Sequence, residues 1–483
     1  MRGKAIFKIL GILLAIYSLS MAPPILISIY YNESNPYIFV ITFYLAFITG
    51  CLFWLPNKNI EHELTTRDGF VVVVFLWIIL CIYSAIPLAL SEALNLSLTA
   101  AFFEAVSGIT TTGATVITNI DKMPHDIIYY RHQLQFLGGM SIIILAVAII
   151  PKLKIGGMQL YKTEITGMNK DDKITPRITN TAKALWLVYF LLAITCILSF
   201  YVAGMSLFDA VCYSFATVST GGFAPHDASI GFYKSNTIYL INIVFMLLSA
   251  INFSLHFMAI KQKSLKQYFL NPECRAYCIF LFFLIFILFV SLVINNTHTT
   301  NLDALIDSAY HAVSISTTTG MVKEDFTMWP SFIPLFIIYI GIIGGCAGST
   351  SGGIKFIRIF MLHKQGMNEL KRLIHPHGRF IIKYGDSIVP NNTINSVWSF
   401  FAGYFAIYII FLLILIALGL NFTTAFSAIA STLSNVGPGL GDVSLNYAGI
   451  NSKTQFVLTC AMLLGRLEIF TIIVLFVPDF WKY

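Results

Sequence analysis

Apolar residues fall into long runs separated by short polar stretches. A bilayer crossing takes roughly 20 apolar residues. Runs of that kind lie at approximately 5–30, 36–56, 69–91, 128–151, 184–204, 236–260, 276–295, 331–360, 394–419 and 454–477. The first two predict a hairpin, and the other eight pair. Between the members of each pair lies a shorter apolar segment: Leu98–Val106, Leu207–Phe215, Leu305–Val313 and Phe422–Ala430. About 12 helical residues rise only ~18 Å, half a membrane, so these segments enter without crossing. Each runs into a polar loop that ends in glycine: Thr110–Gly113, Val218–Gly221, Thr317–Gly320 and Asn435–Gly437. The glycines lie 108, 99 and 117 residues apart. The pattern predicts an all-α integral membrane protein, with four pseudo-repeated helix–pore helix–helix units around one central pore and an N-terminal two-helix hairpin. The expected boundaries are 1–66 for the hairpin and 67–160, 161–268, 269–385 and 386–483 for the repeats.

Composition agrees with a membrane protein. The 483 residues are 57% hydrophobic and 11% charged, with mean hydropathy +0.78, whereas soluble chains carry about 25% charged residues. The run Ala5–Ile29 is too long for a signal peptide, contains Pro23-Pro24 and lacks a small-residue cleavage pattern, so it reads as a retained helix. Net charge is +7, but the basic residues are sorted by loop, which points to a membrane rather than a nucleic acid. Most lie near the two termini and in the loops around 60, 165, 268 and 375. The positive-inside rule places those segments in the cytoplasm. The opposite face carries the glycine loops and Glu92, Asp121, Asp126, Asp227, Glu324, Asp325 and Asp442. Carboxylates over a pore mouth would concentrate cations; ordinary solvated loops would look the same. The basic connectors near 152–183 and 361–393 are too short for a catalytic domain and suit lipid headgroups or an acidic partner. The eight cysteines show no metal spacing and read as reduced packing residues.

Four loops from four similar repeats can close a ring of carbonyls that replaces a cation's hydration shell. The candidate filter residues are Thr111, Thr112 and Gly113; Ser219, Thr220 and Gly221; Thr318, Thr319 and Gly320; and Asn435, Val436 and Gly437. Glycine adopts positive φ at no steric cost, and threonine or serine hydroxyls satisfy nearby backbone or add an oxygen ligand. No Asp or Glu lies in these loops, which argues against a divalent-cation filter. The fourth arm, Asn435-Val436-Gly437-Pro438, has no hydroxyl and is stiffened by proline, so backbone carbonyls must do most of the coordination.

Two departures from repetition lie below the loops. The first is a run from Gly341 to Lys355 containing Gly344, Gly345, Gly348, Ser349, Thr350, Ser351, Gly352 and Gly353. It resembles a phosphate cradle but lacks the Gly-Lys-Ser/Thr ending and a preceding strand. Its glycine density should break a helix in mid-membrane and leave a flexible loop inside the pore; close helix packing through small residues is the other reading. The second is Arg466, a charge in the middle of an apolar span and functional by default. Facing the pore it would repel cations; paired with Glu468 it would be structural. His375 and His377 lie on a cytoplasmic loop and are weak metal candidates, and His311 reads as a hydrogen-bonding residue of a pore helix. No Ser/His/Asp or zinc arrangement emerges, so an enzyme is not expected. A membrane sensor or enzyme would need convergent titratable groups, for which only Arg466 and Glu468 are candidates. A sodium-permeable or non-selective channel also remains open.

The stretch Gln135-Phe-Leu-Gly138-Gly139-Met140 through Pro151, the Gly-Gly-Met-Gln-Leu run at 156–160, the loop Gly344 to Lys355, and Gly465-Arg466-Leu467-Glu468 together resemble the TrkH-type potassium-transporting subunit of the Trk/Ktr/HKT superfamily. The resemblance covers essentially the whole chain, N-terminal hairpin included. It implies a potassium-translocating homodimer with one pore per protomer in a bacterial inner membrane. It further implies a gate at Gly344–Gly353, an arginine under the filter at Arg466, and regulation by a cytosolic nucleotide-binding partner of TrkA type. The chain has no nucleotide motif of its own, in keeping with a regulatory partner. Potassium is then the substrate and no cofactor is expected. Proton symport is ascribed to such systems, but no residue here establishes it.

Overall fold

The computed structural model describes residues 2–33, 35–60, 65–144, 178–330 and 332–482. The connector at 152–177, the 156–160 run and the end of the 128–151 run lie outside the described residues. The N-terminal hairpin comprises α1 (Arg2–Ser18), continued through one 3-10 turn into α2 (Ala22–Tyr30), and α3 (Tyr37–Trp54). Its helices meet where Gly11 and Gly50 let the backbones touch: a Cβ on Gly11 would stand 2.6 Å from the Gly50 carbonyl.

Four units follow, each opening with a long helix: α4 (Thr66–Leu90), α7 (Ile178–Val202), α12 (Pro272–Ile294) and α16 (Asn391–Ala417). A capping box between Thr65 and Asp68 starts α4. Large apolar side chains such as Leu187, Phe190, Phe282, Phe283, Ile409 and Leu413 stand exposed on these helices. Exposed apolar surface on that scale fits lipid rather than water.

Each long helix leads into a short buried one: α5 (Leu98–Ile109), α8 (Leu207–Val218), α13 (Asn301–Ser316) and α17 (Phe422–Leu433). The sequence signal for their starts is an N-cap side chain, since Ser97, Ser206, Thr300 and Asn421 each accept a backbone N–H of the first turn.

The second helix of the first unit is α6 (His125–Ile144). The other three second helices are broken, which the apolar runs at 236–260 and 454–477 did not indicate. In the second unit, α9 (Asn236–Ala250) and α10 (Phe253–Gln262) meet at 98°. In the third, α14 (Ile333–Ile343) stops at Gly344 and, after α11 (Lys266–Leu270) and α12 earlier in the chain, α15 (Phe356–Ile374) begins on the far side of the glycine run. In the fourth, α18 (Ser452–Arg466) and the segment containing α19 (Ile469–Ile473) meet at 106°, with Glu468 at the corner in positive φ (56°). Among the described residues six helices are long and apolar enough to cross a membrane, or eight if each bent pair counts as one span, against the ten spans expected from the apolar runs. The shortfall comes from α14, cut by the glycine run, and from α6, whose apolar run extends beyond the described residues. A two-stranded hairpin, β1 (Lys383–Tyr384) with β2 (Ser387–Ile388), joins the third unit to the fourth.

Candidate filter and gate

The four short helices end alike. The residue after each C-cap is left-handed: Thr111 (φ 52°), Thr220 (52°), Thr318 (57°) and Asn435 (55°). Its N–H returns to the carbonyl three residues back, and the next N–H to the carbonyl five back. For the first arm these bonds run from Thr111 to Gly108 (3.0 Å) and from Thr112 to Ser107 (2.8 Å). This is the Schellman helix ending, usually built on glycine. Here it is built four times on threonine or asparagine, at a cost of roughly 1–2 kcal/mol per residue for a side chain in that region.

The fourfold pattern shifts one register. Two residues after each left-handed position comes a glycine with positive φ: Gly113 (80°), Gly222 (82°), Gly320 (74°) and Gly437 (101°). In the second arm the repeat pattern predicts Gly221, but Gly222 occupies the corresponding place. The matched triplets are therefore Thr111-Thr112-Gly113, Thr220-Gly221-Gly222, Thr318-Thr319-Gly320 and Asn435-Val436-Gly437, with Ser219 one step earlier, level with Thr110.

These glycines close a circle. A Cβ on Gly113 would overlap the Gly221 carbonyl oxygen, on Gly222 that of Thr319, and on Gly320 that of Val436. On Gly437 it would stand 2.6 Å from that of Thr112, which returns to the first arm. Each arm thus abuts the carbonyl of the next, in chain order, around one axis. Above the ring lies a cavity of about 650 Å³ lined by all four glycines and by Asp227, Glu324 and Asp325. Arg131 and Lys323 line it too, so its walls are not uniformly acidic. Glu92, Asp121, Asp126 and Asp442 are not among its lining residues.

Directly beneath, the glycine run folds back on the ring. The Gly352 N–H donates to the Thr318 hydroxyl (2.6 Å) and the Gly353 N–H to the Ser434 carbonyl (2.8 Å). The Thr350 hydroxyl lies 3.2 Å from the Val218 carbonyl and 3.1 Å from that of Ser249, and accepts from Thr220 (3.3 Å). Val218 and Ser434 stand at the C-terminal ends of short helices, whose partial negative charge otherwise faces the axis. The loop therefore occupies acceptors at the ends of the second, third and fourth arms. Positive φ at Gly344, Gly348 and Gly353 (76°, 75° and 72°) lets the chain make these turns. Gly345 lies against the Ser351 side chain and the Ala250 carbonyl. The Ser349 hydroxyl donates to the Cys346 carbonyl (2.6 Å).

Arg466 is 3% exposed and donates through Nη1 to the Thr350 carbonyl at 2.9 Å. Its Nε and Nη2 are buried with no hydrogen-bond partner. Glu468 is not its partner; that carboxylate takes Arg358 at 2.5 Å, and the Arg358 guanidinium also stacks 3.8 Å over Phe400. The alternative of an Arg466–Glu468 pair is thus replaced by an arginine held on the loop.

Several side chains around the ring were missed from sequence. Glu104, fully buried in α5, accepts from Arg131 Nε (2.8 Å), the Val116 N–H (2.8 Å) and the Thr115 hydroxyl (3.0 Å). Arg131 stacks 4.3 Å over Phe223 in the second arm. Gln135, one turn on, also touches that arm. A charge within an otherwise apolar short helix, and basic and amide residues four apart on α6, were the available signals. His311 lies within hydrogen-bond distance of the Asp307 and Glu324 carbonyls, in keeping with a hydrogen-bonding residue of a pore helix. His375 and His377 are exposed and take no part. All eight cysteines are free thiols.

Comparison with known proteins gives a consistent result. A family model described as "TrkH: Cation transport protein" matches residues 37–483. The Trk system potassium uptake protein TrkH of Vibrio parahaemolyticus is 46% identical over the full length of both chains. Its namesake in Escherichia coli is 44% identical, again over all of both chains. The Escherichia coli protein TrkG, also named a Trk system potassium uptake protein, is 40% identical over 98% of this chain and 97% of its own. Among solved structures, the crystal structure of the potassium transporter TrkH from Vibrio parahaemolyticus superposes with a TM-score of 0.93 at 44% identity, covering both chains completely.

Proposed function

The chain belongs to the TrkH family of cation transport proteins, and on that premise we propose that it carries potassium into the cell through the ring formed by Gly113, Gly222, Gly320 and Gly437. It is a multi-pass membrane transporter, not an enzyme. The observation that carries the reading is the cyclic order of the four arms, each glycine set against the carbonyl of the next. Such a ring offers uncharged oxygens and no carboxylate, which suits a monovalent cation that sheds its water. The relatives' names supply potassium as that cation.

The same reading makes Gly344–Gly353 the gate and Arg466 its electrostatic latch. With the loop in place, Gly352, Gly353 and Thr350 hold acceptors contributed by the second, third and fourth repeats. Opening must break these bonds and carry the Arg466 charge away from the axis. The chain is then the membrane subunit of a homodimer in a bacterial inner membrane, with both termini cytoplasmic and a TrkA-type nucleotide-binding protein acting on its cytoplasmic face. Basic residues of α15, Lys364, Lys371 and Arg372, lie on the cytoplasmic side in this topology and continue directly from the gate.

Growth of a potassium-uptake-deficient bacterium on limiting potassium, with the wild type and with Gly113→Ser, tests the filter assignment. Rescue by the wild type and failure of the variant are expected; equal rescue by both would remove it.

A further inference from the structure

One arm of the ring differs from the other three in a way that its own sequence does not explain. The position before the positive-φ glycine is Thr112, Thr319 and Val436 in the first, third and fourth arms, but Gly221 in the second. A Cβ on Gly221 would stand 2.5 Å from Cδ of Gln135. The missing side chain is thus replaced by one from another repeat, reaching across from α6. Gln135 is fully buried. Its Oε1 accepts the Phe223 N–H at 3.2 Å, which orients the amide. Its Nε2 then donates to the Gly221 carbonyl at 2.6 Å. That carbonyl is the member of the ring that faces Gly113. The neighbouring Arg131, stacked on Phe223, steadies the same arm.

We propose that Gln135 is a specificity-determining residue: its amide pins one of the four ring carbonyls and weakens that carbonyl's field, favouring potassium over sodium. This rests on reading the ring as the filter. Two effects act in the same direction. A donor on the carbonyl offsets part of its dipole, and a weaker-field oxygen discriminates against the smaller, more strongly hydrated ion. A pinned carbonyl also cannot move inward to meet that smaller ion. Any side chain at 221 would collide with this amide, so the glycine of the second arm and Gln135 of the first repeat occupy the site together.

The test uses the full-length protein in proteoliposomes, with sodium and potassium fluxes measured under matched gradients. Gln135→Met keeps the length of the side chain and removes the donor. The double variant Gln135→Ala/Gly221→Thr refills the space from the second arm itself, as Thr112 and Thr319 do in theirs. Both are expected to raise the sodium-to-potassium permeability ratio by about tenfold, equivalent to about 1.4 kcal/mol. A residue that merely supports the fold would lower the melting temperature without moving the ratio. If Gln135→Met passes no cation, the double variant decides. A wild-type ratio in either variant that conducts, or silence in both, overturns the proposal. Gly113→Ser runs alongside: an effect there with a wild-type ratio in the Gln135 variants rejects the role of Gln135 alone, whereas an unaltered Gly113→Ser rejects the filter itself.

Discussion

Arg466 and Thr350 belong to different repeats, and the Arg466 guanidinium donates to the Thr350 carbonyl across 2.9 Å. That single bond ties the end of α18 to the middle of the glycine run. The two remaining guanidinium nitrogens have no partner. A buried charge left so incompletely satisfied is held at an energetic cost.

Replacing Arg466 with alanine should raise basal cation flux. A hydrogen bond to a charged group contributes roughly 1.5–3 kcal/mol, so an increase of about tenfold or more is expected. Rubidium efflux from proteoliposomes without any partner protein measures it. Lysine at the same position should restore the block only in part, because it lacks the planar fork that reaches the carbonyl. Deleting Gly348–Gly353 should raise flux further; reduced or unaltered flux in both variants would remove the gate.

The Glu104–Arg131 pair supports the first and second arms from behind. Arg131 is 2% exposed and Glu104 fully buried. Removing one partner strands the other, at a cost of about 3–5 kcal/mol. Arg131→Met and Glu104→Gln should each lower the melting temperature in detergent by several degrees. The double variant should be less destabilised than the sum of the two, since neither charge is then left alone. Additive losses would mean that the pair is not coupled.

Outside the membrane, His226 links the loop after the second arm to the loop after the first. Burial opposes charging its imidazole, but the Asp209 carboxylate 3.5 Å from Nε2 and the hydrogen bond to Asp121 prevail and hold its pKa above the ordinary histidine value. Asp121 is conversely held below its usual range: burial works against this, and the bonds from His226 and the Asp227 N–H outweigh it. The stabilisation from His226 is complete below about pH 6.5 and is lost as pH rises through the elevated folded value. That from Asp121 is present above the ordinary carboxyl range and is lost only in acid. His226→Gln should therefore flatten the decline in melting temperature above pH 6.5, by under about 1 kcal/mol for so exposed a pair.

The repeat was legible because it rests on short-range chemistry. Apolar run length marked α4, α7, α12 and α16, and the short apolar segments ahead of the glycine loops marked the short helices. What was not legible depends on contacts between distant parts of the chain. The bends at residues 251–252 and 467–468 lie in apolar stretches without proline, and they form where the chain meets the gate loop and the Arg358–Glu468 pair. Sequence also favoured Gly221 over Gly222, because both are glycine and only the left-handed Thr220 sets the register. Gln135 looked like part of a helix motif; its role needs the space left by a residue 86 positions away.

The one-step register makes Gly222, not Gly221, the position where a side chain would break the ring. Gly222 has φ +82°, and a Cβ there would overlap the Thr319 carbonyl, a member of the next arm. Gly222→Ser therefore combines backbone strain with displacement of a ring oxygen. It should reduce potassium flux by more than tenfold, as Gly320→Ser should, because the Gly320 Cβ meets the Val436 carbonyl in the same way. Strain alone is isolated by Gly204→Ala, at φ +101° in a loop with nothing within 4 Å of the added carbon. That variant should lose some thermal stability and keep its selectivity for potassium over sodium. If Gly222→Ser behaves like Gly204→Ala, the fourfold register is wrong; if it behaves like Gly320→Ser, the second arm closes the ring through Gly222.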